Sequence, residues 1–170
     1  MKVADMGWHE AYLTQARSEY AIMEKLGKDV EDCHRLHYLQ MVTEKLSKAM
    51  LTPPGSKEPA KTSHVMFVRM LRTLKSSPEF RRQLGFTSVF GFNSYIDSLL
   101  DMAGKIERLS PDQAGLTQPN PEYPWRDNAT QQVLAPSDYS FPGFDPHDFK
   151  MIRIKKLVNS LLFYLLARTI

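Results

Sequence analysis

Apolar residues recur along this chain at helical rather than strand spacing, in five successive stretches. The first runs from about Trp8 to Leu26, with Trp8, Tyr12, Ala16, Tyr20 and Met23 on one face and Gly27 as its stop. The second runs from about Asp29 to Leu51. Its stripe is Leu36, Leu39, Val42, Leu46 and Ala49 or Met50, and Asp29 is placed as N-cap with Asp32 three residues later. The turn between these two stretches is so short that they should pack as an antiparallel hairpin. A third helix is expected from Thr62 or Ser63, carrying Val65, Phe67, Val68, Met70, Leu71 and Leu74. It should restart at Ser77-Pro78, a cap followed by proline at the first helical position. The fourth extends from about Phe90 to Leu109 and the last from about Pro146 to Arg168.

Two segments break the helical pattern. Thr52 to Pro59 holds two adjacent prolines, a third proline and a glycine, so it reads as a loop. Ser110 to Pro146 is longer and richer: six of the eleven prolines lie between Ser110 and Asp145. The same stretch carries Tyr123, Trp125, Tyr139, Phe141 and Phe144, which argues against simple disorder. An extended excursion strapped over the helices is expected, with a short hairpin around Gln131 to Leu134. The fold class is therefore all-α. It is an up-and-down bundle of four to five helices in one domain spanning residues 1–170, with a long Pro/aromatic-rich insertion at about 110–146 before the last helix.

Composition adds constraints. A chain of 170 residues with 42% hydrophobic positions suits one domain with a real core. The net charge of +3 is small but unevenly spread. Met1 to Asp32 holds seven acidic and four basic residues, whereas Lys57 to Arg82 holds seven basic and two acidic. Such polarity suits a basic face toward phosphate or an acidic face toward a protein. Cys33 is the only cysteine, which excludes an intrachain disulfide, and Met1 to Glu10 lacks an apolar signal core. A reducing, cytoplasmic location is the expectation. The apolar run Leu157 to Ala167 is shorter than the roughly 18 residues of a spanning helix, so it reads as buried, with no membrane partner.

One polar string stands inside the second helix: Gln40, Glu44, Lys45 and Lys48. After the loop, Lys61-Thr62-Ser63-His64 opens the third. Glutamine, Glu-Lys, a further Lys and the apolar end Ala49-Met50-Leu51, then a histidine-led helix with Val68, Leu71 and Leu74, resemble the HEPN (higher eukaryotes and prokaryotes nucleotide-binding) domain family. The resemblance covers about Trp8 to Leu74. It implies an all-helical bundle of four or five helices that binds a nucleotide or a partner protein, a nucleotidyltransferase among the candidates. Nuclease members of the family carry an arginine, four residues and a histidine, and act without metal. Here Arg153 is followed five residues later by Val158, Arg35 by His37 at only two, and no other arginine meets the spacing. The resemblance therefore implies a non-catalytic member with no cofactor. Apolar surplus in the second and last helices suggests a homodimer.

The candidate residues each carry two readings. Gln40, Glu44, Lys45 and Lys48, with His64, form a ligand- or partner-binding groove, or a solvated face whose Glu44–Lys48 pair contributes about 0.3–0.5 kcal/mol. Arg69, Arg72 and Lys75, continued by Arg81 and Arg82, contact RNA phosphates or make the polar side of an amphipathic helix. The enzyme alternative, RNA cleavage or nucleotide processing, would use His64 with Arg69 and Arg72. Tyr123, Trp125, Phe141 and Phe144 stack on bases or pin the insertion to the bundle. His34 and His37 make at most half a zinc site beside Glu31 and Asp32, without an accompanying HExxH or CxxC motif. Asp97 and Asp101 lie one helical turn apart with no accompanying group.

Overall fold

A computed structural model of the protein describes residues 6–27, 29–60 and 66–168. The chain is an all-α bundle. Its elements are α1 (Trp8–Lys25), α2 (Asp32–Leu51), α3 (Phe67–Leu74), α4 (Pro78–Gln83), α5 (Val89–Asp97), α6 (Leu100–Arg108), α7 (Pro111–Ala114), β1 (Trp125–Arg126), β2 (Val133–Leu134) and α8 (Phe149–Leu166).

α1 and α2 form the expected antiparallel hairpin. His9, at the start of α1, bonds through Nδ1 to the carbonyl oxygens of Ala49 (2.7 Å) and Thr52 (3.2 Å) at the end of α2. The buried face of α1 is His9, Leu13, Ala16, Glu19 and Met23. It is rotated by about one residue from the expected stripe, and leaves Trp8 40% exposed. α2 starts three residues later than expected. Glu31 holds the N-cap position without a side-chain bond, so Asp29 does not cap.

α2 lies at the centre. α1, α3, α6 and α8 all pack on it, and the 3-10 turn at Pro136–Asp138 closes over it from the insertion. Burial consequently runs nearly all round the helix from Leu39 to Ala49 rather than along one stripe. Thr43 and Ser47 are buried too, and their hydroxyls donate to the carbonyls of Gln40 (2.9 Å) and Thr43 (2.6 Å) within the helix.

The expected start of the third helix, Lys61 to Val65, lies outside the described residues. The described helix begins at Phe67, with Met66 at the cap position and no cap of its own. Its N-terminus is satisfied from another element: Glu107 Oε1 on α6 accepts from the Val68 amide at 2.8 Å. Burial raises the Glu107 pKa above its usual 4.5, the Val68 and Phe67 amides opposing this in part. The group's stabilisation is thus present below about pH 4.5 and lost as pH rises through the raised folded value. Glu107→Gln keeps the acceptor and cannot ionise. Its stability relative to wild type should rise between acid and neutral pH in urea titrations, whereas Glu107→Ala should cost about 1–2 kcal/mol at acid pH by uncapping α3, a cost that shrinks toward neutral pH.

The Ser77-Pro78 restart is observed, with Ser77 Oγ accepting from the Phe80 amide at 3.2 Å. The expected fourth helix is instead two. It breaks at Ser98–Leu99, where the Ser98 hydroxyl turns back to the Tyr95 carbonyl at 2.6 Å.

The insertion is an ordered strap. Trp125 pairs with Leu134, and Arg126 with Val133, in a two-residue antiparallel ribbon. Trp125, Tyr139 and Phe141 then pack ring to ring at 5.0–6.2 Å. Trp125 and Phe141 are 2% and 3% exposed. Asp148 caps α8, whose inner face of Met151, Ile154, Leu157, Val158, Leu161, Leu162 and Leu165 is buried. Its outer face leaves Phe149, Ile152 and Phe163 exposed. No helix among the described residues is long and apolar enough to cross a membrane.

Candidate binding sites

The polar string of α2 is brought together, but not as a solvated face. Gln40, Glu44 and Lys48 are 4%, 6% and 9% exposed. Glu44 is the hub. Its Oε1 accepts from Lys48 Nζ at 2.6 Å and from Lys45 Nζ at 3.4 Å, and its Oε2 from Gln40 Nε2 at 3.2 Å. The Lys48 ammonium also sits 5.8 Å from the centroid of the Tyr12 ring. A buried carboxylate survives only with its charge and lone pairs answered, and two ammoniums and an amide do this here. The string thus works largely on itself. Lys45 is partly exposed, and Gln40 and Glu44 line a cleft of about 200 Å3 shared with Asp112 and Glu122. That rim is acidic, unsuited to phosphate.

The other expected residues are dispersed. His64 lies outside the described residues. Arg69 and Arg72 are exposed on α3, as an amphipathic helix requires. Lys75 leaves that set by pairing with Asp97 at 2.8 Å. Asp101 turns instead to Lys105 at 3.2 Å, so the two aspartates form no dyad. His34 lies 3.8 Å from Glu31, and His37 reaches Glu122 on the strap at 3.9 Å. Among the described residues no group of three or more His, Cys, Asp or Glu could hold a metal. Cys33 is buried, and burial raises its thiol pKa. Of the insertion's aromatics, Trp125 and Phe141 pin the strap, Phe144 is half-buried and Tyr123 is exposed.

A site that sequence reasoning did not single out lies between α6, α7 and the strap. It is a cavity of about 430 Å3, within the range of small-molecule sites. Its lining includes the aromatic residues Tyr139, Phe141 and Phe144, the cationic Lys105 and Arg108, and the amides of Gln113 and Gln118. The aromatic side is held in place from behind. Tyr139 meets both Trp125 and Phe141 edge to face at 5.0 Å. Phe141 also adopts φ +46°, a left-handed conformation costly for a bulky residue, beside Gly143 at φ +89°. Backbone strain of this kind persists only where surrounding packing over-determines it, and it clusters at ligand clamps. The individual signals were visible as aromatics in a proline-rich stretch. Their meeting with Lys105 and Arg108 was not, because it depends on where the strap lands. Compared with protein-family models, curated proteins and solved structures, the chain matches none.

Proposed function

We propose that the protein is a non-catalytic, HEPN-like helical domain that binds a nucleotide, and that the nucleotide occupies the cavity under the strap. The observation that carries this reading is the placement of three aromatic rings and two cations on one cavity of about 430 Å3. A base stacked on an aromatic side chain gains about 1–3 kcal/mol without demanding a particular sequence. Arg108 and Lys105 answer phosphate, and Arg108, with its forked donors, is the stronger of the two for that group. Gln113 and Gln118 present both donors and acceptors to a base edge. The α2 string, whose charges answer one another, serves in this reading as the structural centre rather than the ligand face.

Calorimetric titration with nucleoside mono-, di- and triphosphates and with the parent nucleosides tests the proposal. Phosphorylated ligands should bind at least about tenfold more tightly than nucleosides, with affinity falling as salt rises. Arg108→Gln should remove most of the difference. Equal affinity for nucleoside and nucleotide, or an Arg108→Gln variant that binds like wild type, would contradict it.

A further inference from the structure

A second cavity, of about 440 Å3, opens where the end of α2, the start of α1 and the end of α8 meet. Two of its lining residues are buried polar groups with capacity to spare. His9 is 7% exposed, and its Nδ1 faces two carbonyl oxygens, which can only accept. Nδ1 therefore carries the hydrogen, and in the neutral ring Nε2 is left with its lone pair. Thr52 is 4% exposed, and its hydroxyl oxygen is buried with no hydrogen-bond partner. An orphaned buried hydroxyl is uncommon because it costs about 1–3 kcal/mol, and a bound group in the adjoining cavity resolves it. At the mouth stands the exposed guanidinium of Arg168, which touches Tyr164 Oη and lies 3.4 Å from Glu79 Oε2, both through Nη1. Its remaining N–H groups leave capacity for a second acceptor.

We infer that this cavity is a binding site for a small carboxylic acid that carries a hydroxyl or amino group at the far end of a flat, apolar body. Polarity sets the orientation. The side formed by α1 and the end of α2 is rich in acceptors: His9 Nε2, the Thr52 oxygen and the carbonyl terminus of α2. That terminus carries partial negative charge and would repel an anion. It calls for a donor. The carboxylate belongs at the mouth, against Arg168, since the Tyr164 hydroxyl already donates to Glu79 Oε2 at 3.4 Å. Pro53, Pro54, Leu51 and Leu165 line the space between them, so the body of the ligand is apolar and compact. The site is independent of the nucleotide cavity and shares no lining residue with it.

The probe is 4-hydroxybenzoate, compared with benzoate, which lacks the donor, and 4-hydroxybenzyl alcohol, which lacks the charge. NMR titration of the full chain should show saturable binding of 4-hydroxybenzoate with shifts centred on Thr52 and Leu165. Each comparison compound should bind about tenfold more weakly or worse. Arg168→Gln alters only an exposed group and should fold with unchanged melting temperature, whereas Thr52→Val keeps the side chain's shape, removes the orphaned hydroxyl and should melt no lower than wild type. Each should lose about tenfold in affinity for 4-hydroxybenzoate. Absence of saturable shifts with all three compounds, or wild-type affinity in both variants, would overturn the assignment.

Discussion

Glu44→Ala is expected to lower the unfolding free energy by about 3–5 kcal/mol, a large share of a domain's stability. The reason is what it leaves behind. Lys48 is 9% exposed and donates a 2.6 Å hydrogen bond to this one carboxylate. Removing the carboxylate strands that ammonium among α1 and α2, with the Tyr12 ring as its remaining partner, and frees the Gln40 amide as well. A surface pair at the same spacing would cost only about 0.3–0.5 kcal/mol, so urea unfolding separates the two situations by nearly an order of magnitude. The double variant Glu44→Leu with Lys48→Met should recover much of the loss, since an apolar pair of similar volume needs no counter-charge. A single-variant loss below about 1 kcal/mol would mean that α2 is solvated along this face.

The second large effect is expected at Trp125. It is 2% exposed and is the ring against which Tyr139 and Phe141 both pack. Trp125→Ala should cost about 3–5 kcal/mol, the usual range for truncating a buried aromatic. It should also abolish nucleotide binding, because the aromatic side of the cavity is positioned from behind by this indole. Tyr123→Ala is the matched comparison: that ring is 53% exposed, and its loss should change neither stability nor binding appreciably. Thermal unfolding and nucleotide titration on the two variants read both effects. If Trp125→Ala loses stability but binds normally, the strap holds the bundle together without forming the site.

The helices were legible where local chemistry decides them. α1 ends at Lys25, two residues before Gly27, Ser77 caps α4 ahead of Pro78, and the spacing of Leu157, Leu161 and Leu165 marks the buried side of α8. They were misread where a distant residue decides. α3 owes its capping to Glu107, 39 positions away, and nothing near Phe67 announces this. The break at Ser98 rests on one hydroxyl turning back to Tyr95, which apolar periodicity does not register. The polar string of α2 was visible, but its burial was not. A Gln/Glu/Lys/Lys pattern is the same on paper whether it faces water or neighbouring helices, and only packing by α1, α3, α6 and α8 distinguishes them. The cavity under the strap depends on a landing point set by Trp125 and Phe141, so Lys105 and Arg108 gave no signal along the chain.

In the proposed function the binding face lies under the strap and the α2 string is its structural support. Amide chemical shifts of the full chain, followed while adenosine 5′-monophosphate is added, test this most directly. Saturable shifts are expected to cluster at Lys105 to Gln118 and at Tyr139 to Phe144, with Gln40 to Lys48 unmoved. Shifts centred on Gln40, Glu44 and Lys48, with the strap silent, would contradict it.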